Sequence, residues 1–350
     1  MGPATLSQEA LDRLGEIAFD PQLLAGARNA MRTCLGVTAG QEVTLIVDAD
    51  PQQAELGAAL LAATKEITPN VRAYLLVAEH ARVESLVKRL LERLSESDAS
   101  VLVSGLGSLP VDLRRRIIDV GGPRRRHAHL LGLTTATFAQ GMRADYEEVA
   151  RLGERLLERL VRAKELSVTT STGTDLRVRV DPSMRWHHES GLLRSPGWLN
   201  LPSGEITTTP GDVEGVCVPD GGVWSVTEGA LPRALRLRLE LRGSRVVAVS
   251  GRDEEARARF VEMIDGDANG RRVGQFGFGT NIAVLAPVGS LLQDQRMPGV
   301  HLQLGEPHGT LTGAAWRSSV EVPMVVRRPD VWIDGEPVMV RGKYVAALLA

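Results

Sequence analysis

Glu42-Val-Thr-Leu-Ile-Val-Asp48, followed by Ala49-Asp50-Pro51, decides the fold of the first half of the chain. An apolar and β-branched run without alternation marks a strand buried on both faces. Asp50-Pro51 directly after it starts a helix. This helix is expected to run through Lys65. Working outward, the same unit recurs. Val71-Arg-Ala-Tyr-Leu-Leu-Val77 reads as a strand, 81–94 as a helix and Ala99-Ser-Val-Leu-Val-Ser104 as a third strand. Pro110 opens a helix to Val120, and His129-Leu-Leu-Gly-Leu-Thr134 reads as a fourth strand. Strands alternating with helices give right-handed βαβ units and a parallel sheet. Upstream, residues 11–34 carry apolar residues at helical spacing broken by Asp20-Pro21, hence two helices.

The pattern changes after a long charged helix over 145–164. Ser167-Val-Thr-Thr-Ser171, Asp175-Leu-Arg-Val-Arg-Val180 and Ala234-Leu-Arg-Leu-Arg-Leu-Glu-Leu241 alternate with period two. Arg242-Gly-Ser-Arg245 reads as a hairpin turn into Val246-Val-Ala-Val249, and 252–264 as a helix with an acidic first turn. The expected class is therefore α/β: an N-terminal parallel α/β domain over 1–145, an interdomain helix over 146–165, and a mostly antiparallel α+β domain over 166–350.

Composition excludes several function classes. The chain has 350 residues, 43% of them apolar and 24% charged, with a net charge of −2. That length supports two cores. Near-neutral charge and 4% aromatic content argue against nucleic acid and against an anionic membrane surface. No apolar run approaches the ~20 residues that cross a bilayer. Pro3 and Glu9 interrupt what a signal peptide would need, and Cys34 and Cys217 form no CxxC, so a cytoplasmic setting is expected.

The last third carries the chemistry. Gln275-Phe-Gly-Phe-Gly-Thr-Asn281, Gln293-Asp-Gln-Arg296, Val300-His301-Leu-Gln-Leu-Gly305 and Glu321-Val-Pro323 read as a tightly turned scaffold around a pocket. With Asn200-Leu-Pro-Ser-Gly-Glu205, these segments resemble the thermophilic metallo-aminopeptidases of aminopeptidase T and S type (leucyl aminopeptidase-like). That family's corresponding segments read Glu-Phe-Gly-x-Gly-x-Asn, Glu-Asp-Glu-Lys…Val-His-x-x-x-Gly and His-x-Asp-x-Val-Val-Arg-x-Pro. The resemblance covers most of 140–350, and it implies the metallo-aminopeptidase fold, which iron-dependent 2,5-dihydroxypyridine dioxygenases share. It also implies a dimer, since the family is typically dimeric.

Carried over position by position, the resemblance implies that Glu205 and His301 retain ligand positions. Gln275 replaces a ligating glutamate, Gln295 a framework glutamate, and Glu321 and Pro323 the His and Asp of the His-x-Asp pair. All three iron positions of the dioxygenases (Gln275, Glu321, Pro323) also differ. A catalytic divalent metal needs about three protein ligands and an open position. The expectation is therefore a pseudoenzyme with no cofactor. Its old metal site (Glu205, Gln275, His301, Glu321) would bind a peptide and present it to a partner enzyme. It resembles in this the peptide-binding proteins of crocagin-type ribosomal peptide natural-product pathways. The alternative is an active hydrolase with one divalent metal such as zinc on Glu205, His301 and Glu321.

Other signals are weaker. Ser104-Gly-Leu-Gly-Ser108 follows a strand but lacks the Lys-Ser/Thr of a phosphate loop. Arg114-Arg-Arg116 and Pro123-Arg-Arg-Arg126-His-Ala-His129 read as solvated basic helix ends, or as a surface for an acidic peptide. His187 and His188, adjacent on a strand, point to opposite faces.

Overall fold

A computed structural model describes residues 3–77, 83–121, 124–225, 229–230 and 236–349. The chain divides into two compact units, residues 1–146 with 191–203, and residues 147–190 with 204–350.

The first unit is built on four consecutive parallel strands: β1 (Val43–Asp48), β2 (Val71–Leu76), β3 (Ala99–Ser104) and β4 (Arg126–Leu131). Helices α1 (Pro3–Glu16), α2 (Leu23–Arg28), α3 (Pro51–Lys65), α4 (Glu84–Glu96), α5 (Val111–Asp119) and α6 (Thr135–Ala139) belong with them. Asp50 caps α3, its side chain accepting from the amides of Gln52 and Gln53, with Pro51 in the first turn. Every residue of β1 and β3 is buried, as an unalternated apolar run requires. The helix expected from Ala81 begins outside the described residues and is seen as α4 from Glu84.

Two sequence expectations need correction. The fourth strand lies at 126–131 rather than 129–134. The basic run before it is not a solvated helix end throughout. Arg125, His127 and His129 alternate on one side of β4 and are buried. Arg125 donates to the carbonyls of Ile117 and Ile118 at the end of α5, while His127 Nδ1 lies 2.7 Å from Ser100 Oγ. A cation on the last carbonyls of a helix is favourable twice, as hydrogen bond and against the dipole.

In the second unit, α7 (Tyr146–Leu160) contributes Leu152, Leu156 and Leu160 to the core. The strands that follow are β5 (Glu165–Thr169), β6 (Asp175–Arg179) and β7 (His187–Glu189). The fifth strand of the first unit is then β8 (Gly197–Asn200), parallel to β4. Residues 191–203, read from sequence as part of the second domain, thus complete the first sheet, whose order is β2-β1-β3-β4-β8.

The rest of the second unit is antiparallel. It comprises β9 (Glu205–Thr208), β10 (Asp212–Cys217), β11 (Gly222–Ser225), β12 (Gly229–Ala230), β13 (Arg238–Arg242) and β14 (Arg245–Ser250). After α8 (Glu254–Ile264) come β15 (Val273–Gly279), the short α9 (Leu291–Asp294) and β16 (Gly299–Gly305). The short α10 (Gly309–Thr312) precedes β17 (Glu321–Arg327), β18 (Asp330–Ile333), β19 (Glu336–Val340) and β20 (Lys343–Tyr344). The strand expected from Ala234 starts outside the described residues and is seen as β13. Eight strands run β14-β13-β10-β6-β5-β18-β19-β20 and seven run β12-β11-β17-β16-β15-β9-β7. Leu166, Val168, Leu176 and Val178 from the first of these sheets share one buried cluster with Ile206, Phe276, Phe278 and Leu302 from the second. The architecture is the expected one, a parallel α/β unit and an antiparallel unit. Among the described residues no helix is long and apolar enough to cross a membrane.

Candidate functional site

Strand register builds the site. Directly opposed residues of an antiparallel pair project to the same face. Glu189 opposes Glu205, which opposes Gly279. Gly277 opposes His301, Gln275 opposes Gln303, Gln303 opposes Pro323, and Gly305 opposes Glu321. Period two therefore puts Glu189, Glu205, Gln275, His301, Gln303 and Glu321 on one face of the seven-stranded sheet. The intervening Ile206, Phe276, Phe278, Leu302, Leu304 and Val322 face the core, the two phenylalanines edge to face at 5.5 Å. The apolar half of the pattern is what fixes the polar half.

The four sequence-predicted residues thus share a face, and Glu205 and His301 adjoin, with His301 Nε2 3.5 Å from Glu205 Oε2. Gly277 makes room for that imidazole, because a Cβ there would clash with Nε2. Glu321 is engaged elsewhere, 2.9 Å from His308 Nε2. Gln275 Nε2 donates to the Pro307 carbonyl at 3.5 Å.

Three participants escaped the sequence reading. Arg296 is the first. Its side chain is 2% exposed, and one nitrogen, Nη2, lies 2.9 Å from Glu205 Oε1 and 3.2 Å from Glu189 Oε1. Nη1 donates to Gln295 Oε1 at 3.1 Å. Glu189, the second, comes from the edge strand β7. His308, the third, has left-handed backbone (φ 48°, ψ 59°), an uncommon state for a residue other than glycine. Its amide donates to Glu306 Oε1, and Glu306 Oε2 accepts from the Ser318 amide. Arg296 carried a signal, since it stands where the resembling family has lysine. Glu189 and His308 carried none, because their roles depend on strand register and on a loop's return.

The electrostatics follow from burial and neighbours. Burial, and then the charge of Arg296, hold the His301 pKa down to about 3, so this imidazole is neutral. Among the described residues neither of its ring nitrogens makes a hydrogen bond of normal geometry, although the Gln295 backbone favours the charged ring a little. Burial raises the Glu189 pKa and the charge of Glu205 adds to this, against the pull of Arg296. For His308, burial opposes the charged form, but the Glu321 hydrogen bond and the charges of Glu321, Glu306 and Glu205 prevail, and its pKa is raised.

The donor set does not fit a catalytic metal. Pro323 has no side-chain donor, Gln275 is a neutral amide, Glu321 is turned to His308, and Glu205 is held by a guanidinium. Among the described residues no three of His, Cys, Asp and Glu are grouped to hold a metal ion. The Ser104–Ser108 loop closes on itself through the Ser104 and Ser108 hydroxyls, 2.8 Å apart.

This arrangement of a parallel α/β unit and an antiparallel unit is the aminopeptidase-like fold. Residues 142–299 match the profile of the NicX family, 2,5-dihydroxypyridine 5,6-dioxygenase. The matched stretch includes Glu205 and Gln275 and ends before His301 and Glu321. Among solved structures, the 2,5-dihydroxypyridine dioxygenase of Pseudomonas putida KT2440 is similar with a TM-score of 0.64 and 18% identity, over 99% of this chain and 98% of that one. Wild-type AmpT from Thermus thermophilus is similar with a TM-score of 0.62 and 19% identity, over 94% of this chain and 100% of that one. At such identities the likeness speaks for the fold alone. No curated protein sequence matches the chain.

Proposed function

We propose that the chain is a non-catalytic peptide-binding protein on an aminopeptidase-like fold, which presents a precursor peptide to a partner enzyme in peptide natural-product biosynthesis. The observation that carries this reading is the guanidinium of Arg296 against Glu205 and Glu189, at the place where metal chemistry would need free carboxylates. Metal-assisted hydrolysis needs free ligands, whereas binding needs only charge and hydrogen bonds. Glu321 and His308 form the solvent-reaching end of the site, at 32% and 38% side-chain exposure. Glu321, Glu306 and Glu205 all bear on that end, as their effect on His308 shows, so it favours a cation such as a peptide amine. The same reading takes the chain as a cytoplasmic homodimer.

Calorimetry with a free-amine peptide and its N-acetylated twin tests the reading. Weaker binding of the acetylated peptide, and of the Glu321→Ala variant to the free one, is expected. Leucyl chromogenic substrates should read background. Turnover that a chelator abolishes and zinc restores would replace this reading with the alternative, one divalent metal on Glu205, His301 and Glu321. Light scattering that finds only monomer removes the dimer.

A further inference from the structure

We infer that a cleft in the first unit, walled by Arg28, Arg32 and Arg143, binds the phosphate group of a small phosphorylated molecule. Its lining residues lie between Ala25 and Asp145, all within that unit. The inference stands apart from the site on the seven-stranded sheet and does not depend on how that site is used.

The chain departs from regular helix to make this cleft. After α2, Asn29–Cys34 continues as a π-helix, and the Leu35 amide donates to the Ala30 carbonyl five residues back at 2.9 Å. Such turns are rare and concentrate at functional sites. This one contributes Asn29, Arg32 and Thr33 to the cleft wall, beside Arg28 at the end of α2. Its last carbonyls are already taken. Ala30 and Met31 accept from the amides of Leu35 and Val37, and Thr33 accepts from Arg194 Nη1 at 3.1 Å. The wall therefore offers guanidinium N–H groups rather than carbonyl oxygens. A second wall is fixed by one side chain. Asn29 Nδ2 donates to the carbonyls of Met142 at 2.9 Å and Ala144 at 2.7 Å, the residues on either side of Arg143. Both neighbours are buried, while Arg143 itself is exposed on the cleft.

The donor inventory selects the ligand. A guanidinium carries five N–H donors in a fixed fork. Glu66 takes Nε and Nη2 of Arg28 and, at 3.3 Å, Nη2 of Arg32. One carboxylate thus serves two guanidiniums, and both keep donors to spare. Arg143 makes no ion pair among the described residues. Asp145 is the acidic residue on the lining, so positive charge remains in excess there. A carboxylate ligand has two oxygens and satisfies one fork. A phosphate monoester presents three oxygens and a charge of about −1.5 to −2 near neutral pH, which suits guanidiniums arriving from separate elements. The cleft, at about 450 Å³, is larger than a phosphate and within the usual range for small-molecule sites, so it has room for the group that carries the phosphate.

The test is equilibrium dialysis of the full chain against labelled inorganic pyrophosphate, in magnesium-free buffer of low ionic strength. The wild-type chain should take up one equivalent. Arg143→Gln removes an exposed side chain without an ion pair, so the fold is kept, and affinity should fall at least about tenfold. Arg143→Lys keeps the charge without the fork and should fall between the two. Arg89→Gln, at another exposed arginine of the same unit, should bind as the wild type does. Uptake that falls alike in Arg143→Gln and Arg89→Gln is general attraction to basic surface and overturns the inference, as does the absence of saturable uptake. Succinate, a dianion without phosphate, should displace the probe at least about tenfold less well than O-phosphoserine; equal displacement overturns the phosphate assignment. Displacement by a phosphoserine peptide but not by free O-phosphoserine overturns the small-molecule assignment.

Discussion

At the scale of single residues, the site is a set of buried charges that satisfy one another. Breaking a buried pair strands the survivor, at a cost of about 3–5 kcal/mol. Arg296→Ala, which leaves Glu189 and Glu205 facing each other, is therefore expected to destabilise the chain by about that much in urea unfolding. His308 gives the pH dependence. Its folded pKa is raised, so the His308–Glu321 pair contributes stability fully present below the ordinary histidine value of about 6.5 and lost as pH rises through the folded pKa. Glu321→Gln should lower the His308 pKa in an NMR titration and flatten that alkaline loss. An unchanged titration would mean that the pair is not formed in solution. Gly277 is equally specific: Gly277→Ala puts a methyl carbon against His301 Nε2 and Thr207 Cγ2. A loss of about 1–3 kcal/mol is expected, with the imidazole resonances displaced.

At the scale of elements, the first unit was largely legible because each element announces itself locally. Asp50-Pro51 is both a sequence signal and the observed cap of α3, and Asp50→Ala should cost about 1 kcal/mol in thermal unfolding. The hairpin between β13 and β14 was legible for the same reason. Gly243 (φ 54°) and Ser244 (φ 59°) both take the left-handed backbone that such two-residue turns demand. β4 was misplaced because its first residues are basic, and a charged run reads as surface unless one knows that Arg125 will find helix carbonyls. Of the site, Glu205, Gln275, His301 and Glu321 were legible as positions on one framework. Their actual partners were not. The Arg296 contacts span 91 and 107 residues of chain, and nothing in local pattern encodes a pairing at that distance.

At the scale of the whole molecule, acid is the informative stress. Asp267, in the loop after α8, accepts from the Asn269 amide, from the Ser318 hydroxyl and from the Ser319 amide and hydroxyl, fastening that loop to the one before β17. Burial raises its pKa, yet these hydrogen bonds outweigh burial and hold it at about 2. Because the folded value lies below the unfolded value of about 3.9, the stabilisation is fully present above about pH 4 and is lost as pH falls toward 2. Asp267→Asn should be less stable at neutral pH, with a shallower decline between pH 4 and pH 2. Parallel decline in the two proteins would show that the loops are held by something else.

The first sheet takes its edge strand, β8, from chain that follows the start of the second unit. Synthesis gives this a temporal meaning. About 65 residues lie between the end of β4 at Leu131 and the start of β8 at Gly197, which at ~5–20 residues per second takes the ribosome roughly 3–13 s. Throughout that interval the nascent first unit carries a bare β4 edge, a template for any neighbouring strand. The charged face of α7 emerges in the meantime, but it cannot occupy a strand's place. A stop codon between residues 131 and 197 would therefore release a product that aggregates, while a stop just after 203 would release a first unit that has its edge strand.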